Sequence, residues 1–143
     1  MNSHSSLLFI FFFIVTSNGG TIPFPQQGFN DFDPIYMGYI KDNWNVFFNN
    51  RKVADASARS FQDLGFGYGK DNWNVFYLGK KMSDATSRSF EILQPYTGYT
   101  KDTWNVYYLG KKVPDATSRS FQSMDNGYGK DTWSMFFKGK KLH

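Results

Sequence analysis

Cysteine is absent from all 143 residues. No disulfide can therefore staple the fold, and no thiolate can serve as nucleophile or metal ligand. Histidine is nearly absent: the two that occur are His4, close to the start, and His143, the last residue. Neither lies within the body of the chain, which excludes a Ser-His-Asp or Cys-His arrangement there and zinc sites built on Cys or His. Charge of one sign is scarce as well, since a net charge of +4 is too small for a basic tail. Long apolar runs are missing with one exception, Leu7–Val15, which reads LLFIFFFIV. Nine residues fall well short of the roughly 20 that a membrane-spanning helix needs.

What is abundant is aromatic side chain, 20% of the chain, with 16 Phe and 9 Tyr. That content excludes a disordered polymer. A chain of this length makes one modest domain or a short array of repeats, not two large domains around a cleft. It can bury roughly two-thirds of its unfolded surface, enough for a core without disulfides.

The single apolar run suits the central region of a secretory signal peptide, because the small residues Ser17, Gly19 and Gly20 follow it. The preceding MNSHSS carries no Lys or Arg, so only the amino terminus supplies positive charge. A buried core strand is the alternative. The expectation is a signal peptide over residues 1–19 with cleavage between 17 and 20, then an extended segment over 20–36. The mature chain would be secreted and extracellular.

Residues 37–142 are repetitive. Trp44, Trp73, Trp104 and Trp133 are spaced by 29, 31 and 29 residues, each inside the frame Lys-Asp-Asn/Thr-Trp. Lys70–Leu93 set on Lys101–Met124 gives 17 identities in 24 positions, which chance does not produce. The copies run over 37–64, 65–93, 98–124 and 127–142. The extra residues of QPYTGYT between copies two and three predict a surface loop.

Each copy carries a strand-like run (WNVFF, WNVFY, WNVYY, WSMFF), rich in aromatic and β-branched residues. A turn follows at Asn49-Asn50, Leu78-Gly79, Leu109-Gly110 and Lys138-Gly139. Asn and Gly tolerate positive φ and favour a type I′ hairpin turn. Leu before Gly fits that turn poorly, so a type I turn with a glycine bulge competes in copies two and three. A short basic strand returns, and an Asp-Ala-x-Ser/Ala-Arg-Ser-Phe turn closes the unit. The Asp, Ser and Thr there can bond nearby backbone N–H groups. The expected fold is all-β: a tandem repeat of about four β-hairpin units of roughly 30 residues, joined by short capped turns. A lone hairpin is unstable in water, so the units must stack or close.

This pattern resembles the DKNYY repeat family. The residues that carry the resemblance include Lys101, Asp102, Asn105, Val106, Tyr107, Tyr108, Gly110, Lys111, Lys112, Ala116 and Phe121, and four copies match in register from about Met37 to Leu142. Two features depart from it. Trp stands just before the strand, where the family has a small polar or charged residue, and the turn reads Asp-Ala rather than Ala-Asp. The resemblance implies a repeat architecture and brings no activity with it.

Paired carboxylates could in principle do glycosidase chemistry. Yet every Asp of the array recurs at an equivalent place except Asp63 and Asp125, and repetition suits turn caps better than a unique catalytic site. Asp31-Phe32-Asp33 is too sparse for an EF-hand loop. Asp42, Asp71, Asp102 and Asp131 fit Asx-turns better than weak calcium sites. No enzyme activity, metal or cofactor is expected.

Alternation puts Trp73, Val75 and Tyr77 on one strand face and Asn74 and Phe76 on the other. Trp44, Trp73, Trp104 and Trp133 are therefore expected in the core as structural residues, with Phe61, Phe90 and Phe121 anchoring the capped turns. The row Phe47, Phe76, Tyr107 and Phe136 fits burial under a second packing layer, with an exposed platform for sugar rings or self-association as the alternative. Basic residues recur at Arg51-Lys52, Lys80-Lys81, Lys111-Lys112 and Lys138/Lys140-Lys141, in a region of 16 basic and 10 acidic residues. Lys80, Lys81, Lys111, Lys112, Lys140 and Lys141 are candidates for binding an anionic surface. Protection of exposed sheet edges is the plainer reading.

The expected role is that of a secreted, non-enzymatic structural or adhesive protein of an extracellular matrix or coat. A lectin-like module for acidic glycans is the alternative, and a secreted defence or effector protein the third. Acidic polysaccharide, acidic matrix protein, a mineral surface and further copies of the chain are the expected partners. Nucleic acid is not, and no transmembrane segment is expected.

Overall fold

A computed structural model describes residues 12–15, 21–24 and 38–143. Strands β1 (Phe12–Val15) and β2 (Thr21–Phe24) pair antiparallel, with Phe12 opposite Phe24 and Val15 opposite Thr21. Part of the apolar run is thus extended and paired. The expected cleavage window at 17–20 lies outside the described residues, as does most of the segment 20–36.

The repeat region is all-β, built of four small antiparallel sheets in which strands neighbour one another in chain order. The first sheet holds β3 (Tyr39–Lys41), β4 (Val46–Phe48) and β5 (Arg51–Lys52). The second holds β6 (Gln62–Gly65), β7 (Tyr68–Lys70), β8 (Val75–Tyr77) and β9 (Lys80–Lys81). The third holds β10 (Glu91–Ile92), β11 (Tyr99–Lys101), β12 (Val106–Tyr108) and β13 (Lys111–Lys112). The fourth holds β14 (Gln122–Ser123), β15 (Tyr128–Lys130), β16 (Met135–Phe137) and β17 (Lys140–Lys141). The first strand of each four-stranded sheet comes from residues just after the closing Phe of the preceding copy. The structural unit is therefore offset from the sequence copy, and each copy lends a strand to the next.

All four hairpin turns are of type I′. Both central residues have positive φ in every copy: 49° and 59° at Asn49-Asn50, 49° and 76° at Leu78-Gly79, 46° and 76° at Leu109-Gly110, and 47° and 75° at Lys138-Gly139. The bulged alternative is not taken in copies two and three. The I′ turn matches the right-handed twist of the short strands it joins, and that outweighs the cost of about 1–2 kcal/mol for a left-handed Leu. Glycine follows for a second reason. A Cβ at Gly79 would lie 3.0 Å from Phe48 Cβ, one at Gly139 2.8 Å from Tyr108 Cβ, and one at Gly110 would overlap the Tyr77 ring. Each glycine lets one copy's turn lie flat against the preceding copy.

The core is divided into three clusters, one per junction between copies. The first gathers Val46, Phe48, Val53, Ala58 and Phe61 of copy one around Phe76 of copy two. The second gathers Tyr68, Val75, Met82 and Phe90 around Tyr107 of copy three, and the third Tyr99, Val106, Val113 and Phe121 around Phe136 of copy four. Both strand faces are therefore packed. The inward Val faces its own copy's cluster, and the aromatic beside it plugs the preceding one. Among the described residues no cluster joins the first copy to the last, so the array is an open stack and not a closed barrel. The closing rings Phe61, Phe90 and Phe121 are buried, each tilted against a neighbouring copy's aromatic 5.6–6.0 Å away.

Candidate functional site

The Lys-Asp-x-Trp-Asn segment joins the two central strands of each sheet. In copy three, Asp102 Oδ1 accepts the Trp104 N–H at 2.8 Å and the Asn105 N–H at 2.7 Å. The same pair of bonds forms at Asp42, Asp71 and Asp131. This is an Asx-turn, a local bond that competes with strand pairing and turns the chain. The second carboxylate oxygen reaches the preceding copy: Asp71 accepts the Ser57 N–H at 2.8 Å, Asp102 the Thr86 N–H and Asp131 the Thr117 N–H, both at 2.7 Å. The adjacent lysine turns towards its own copy's capped turn. Lys70 Nζ donates to Ser87 O at 3.2 Å and Lys101 Nζ to Ser118 O at 3.3 Å. Lys-Asp is thus a two-way clasp between copies. Hydrogen bonding to the Trp44 and Asn45 N–H groups holds the Asp42 carboxyl below its ordinary value. At Asp131, desolvation pushes upward, but the N–H groups of Thr117, Trp133 and Ser134 leave the net shift downward.

The tryptophans project from these turns into solvent, which corrects the expectation that they are core. Trp44, Trp73, Trp104 and Trp133 are 84%, 79%, 74% and 83% exposed. The alternation that paired Trp73 with Val75 does not reach back so far, because β8 begins at Val75 and Asp71 has already turned the backbone. The side-chain signal lay in the sequence as Asp two residues before Trp. The next residue helps hold the turn: Asn74 Nδ2 donates to Asp55 O at 3.2 Å and Asn105 Nδ2 to Asp84 O at 3.1 Å.

The row has company that the sequence reading did not single out. In copy one, Lys41, Asp42, Asn43 and Trp44 face Ser57, Ala58 and Arg59 across an open groove of about 510 Å3. The capped turns of copies two and three place the exposed Arg88 and Arg119 at the equivalent position. A tryptophan turn and a capped turn carrying an exposed arginine therefore recur in the complete copies.

Lys80, Lys81, Lys111, Lys112, Lys140 and Lys141 are all exposed, on the strands that end their sheets. Lys81 Nζ lies 3.9 Å from Asp55 of the preceding copy. This placement is that of edge strands covered by charge. Among the described residues no group of three or more acidic or His side chains could hold a metal ion, and no helix is long and apolar enough to cross a membrane.

One family pattern matches residues 39–143, the stretch that holds the clasps, the hairpins and the closing rings. The chain belongs to the DKNYY family. No curated protein and no solved structure matches the chain. In this DKNYY array the family's lysine, aspartate, asparagine and glycine are accounted for by the junctions between copies. The tryptophan is not.

Proposed function

We propose that this DKNYY protein is a secreted, non-enzymatic adhesive module that attaches to acidic polysaccharide through its tryptophan row. The observation that carries the reading is the exposure of four indoles at equivalent turns, none of them needed by the core. Large aromatics held in solvent at fixed intervals mark an interaction surface. An indole offers a flat apolar face, suited to the C–H face of a sugar ring, and an N–H donor at its edge. The neighbouring Arg59, Arg88 and Arg119 offer the planar fork that pairs with carboxylate or sulfate. Several weak sites at fixed spacing on one stack add by avidity on a repeating polymer. A matrix or coat is the setting in which such a polymer is met, and the apolar run Leu7–Val15 supports export.

The test uses protein recovered from the medium, whose amino terminus should lie between Asn18 and Thr21. Its indole fluorescence is followed as a uronic-acid or sulfated polysaccharide is added. Binding should weaken as salt rises, because the Debye length falls from about 10 Å at 0.1 M to about 3 Å at 1 M. The double variant Trp73→Ala, Trp104→Ala should lose most of the binding while melting within a few degrees of the parent, since exposed substitutions typically change stability by within about 0.5 kcal/mol. Binding retained by the folded double variant would refute the role of the row. An intact Met1 on extracellular protein would refute signal-peptide cleavage.

A further inference from the structure

Every junction in the stack is made from two unlike halves. One half is a copy's first-strand tyrosine, inward valine and return-strand apolar residue; in copy three these are Tyr99, Val106 and Val113, all 2% exposed or less. The other half is the following copy's second-face aromatic, Phe76, Tyr107 or Phe136. Among the described residues four copies close three junctions and leave one half of each kind over, at opposite ends of the stack. At the copy-four end, Tyr128, Met135 and Leu142 occupy the places of Tyr99, Val106 and Val113 but are 40%, 40% and 43% exposed. At the copy-one end, Phe47 occupies the place of Phe136 and is only half-buried. Beside it Ile40 is 41% exposed.

Ile40 is the informative residue. The equivalent positions in the other copies are Gly69, Thr100 and Gly129. A Cβ at Gly69 or Gly129 would overlap the closing ring of the preceding copy, Phe61 or Phe121. Small residues stand there because a phenylalanine arrives. Among the described residues copy four carries no closing Phe, so a second copy seated on it would meet open space where that ring packs in the other junctions. Copy one presents the bulky side chain in the matching place. The two ends differ from the internal halves in complementary ways.

We propose that the protein assembles head to tail, the Ile40 and Phe47 end of one molecule seating on the Tyr128, Met135 and Leu142 end of a second copy of this chain. The contact continues the internal junctions of the stack. It joins two different surfaces, so it does not close on itself at a dimer and leads to a ring or an open filament. It is weaker than an internal junction for two reasons. Asn50 replaces the turn glycine that backs onto the preceding copy, and among the described residues copy four offers no capped turn for the second oxygen of Asp42. The assembly is independent of the glycan reading, and each can fail alone.

The test is sedimentation of the purified protein across a concentration series, with Ile40→Lys and Met135→Lys as variants and thermal melts to confirm folding. The parent should form species beyond the dimer as concentration rises. Each variant alone should lose everything above the monomer. Mixed, the two should recover a one-to-one dimer and stop there, because only one productive pair of ends remains. A parent that stays monomeric throughout would overturn the proposal, as would either variant assembling like the parent, or a mixture of folded variants that yields no dimer. Should Met135→Lys fail to fold, Leu142→Lys places the same charge on the same end and replaces it.

Discussion

At each junction one aspartate holds three backbone N–H groups from two copies. Asp102 adds a fourth contact, with the Tyr107 hydroxyl 3.0 Å from Oδ2 and 2.7 Å from Asp84 O. Burial, reinforced by Asp102, raises the Tyr107 pKa, so the phenol stays protonated as a donor. Asp102 is itself buried. Changing it to Asn puts an amide donor among donors and removes the charge. The partners of Oδ2, the Thr86 N–H and the Tyr107 hydroxyl, lose their acceptor, which costs about 1–3 kcal/mol and in an array of this size lowers the melting temperature by roughly 5 °C or more. Asp42→Asn should cost less, because Asp42 is exposed and the described residues offer no preceding turn for its second oxygen. Melting curves of the two variants make the comparison. Equal melting of Asp102→Asn and the parent would show that the clasp carries no stability.

Among the elements, the type I′ turn couples local conformation to stacking. Gly110 has φ of 76°, and a side chain there would run into the Tyr77 ring of the preceding copy. Gly110→Ala should therefore destabilise by about 1–3 kcal/mol through overpacking, with left-handed strain in addition. Asn50 is the revealing exception. It occupies the same turn position in the first copy, where the described residues place no earlier strand behind it. Asn50→Gly should leave stability nearly unchanged, and urea midpoints for the two variants should separate clearly. A small effect of Gly110→Ala would mean that the turns do not register the stack.

For the molecule as a whole, a stack without disulfides depends on the ionisation states that its junctions require. Burial raises the pKa of Tyr39, Tyr68, Tyr99 and Tyr107 above the ordinary value of 10.0. A raised phenol means that the fold prefers the neutral form. The stability this gives is complete below pH 10 and is lost as pH rises past it. Asp131 is shifted the other way, below its ordinary 3.8. Its contribution is present above that value and is lost as pH falls through the folded-state pKa. The melting temperature should accordingly form a plateau from about pH 5 to 9 and fall on both sides. A midpoint that climbed steadily into alkali would contradict the burial of the tyrosines. The repeated chemistry also implies graded cooperativity, since each copy touches only its neighbours.

The repeat, its all-β character and the hairpin positions were legible in the chain, because period, β-propensity and turn chemistry are local properties. The aromatic row on the second strand face was legible as a row, but whether it packs or faces solvent was open, and packing against the preceding copy decides it by burying Phe76, Tyr107 and Phe136. The sequence alone could not say where the strand phase starts. Trp73 and Val75 read as one face until the Asp71 carboxylate, by bonding two backbone N–H groups, breaks the alternation and turns the indole outward. The turn type was likewise open from Leu-Gly and was decided by the twist of the paired strands, since Asn49-Asn50 takes the same conformation with no described copy behind it. The division of the core into junctions depends on contacts between residues some 15 to 45 positions apart, such as Phe61 with Phe76 and the Tyr68 hydroxyl with the Gly110 N–H at 2.8 Å. Local preference sets which elements form. Only the stacked structure decides which aromatic is core and which is left exposed, because burial depends on what the next copy covers.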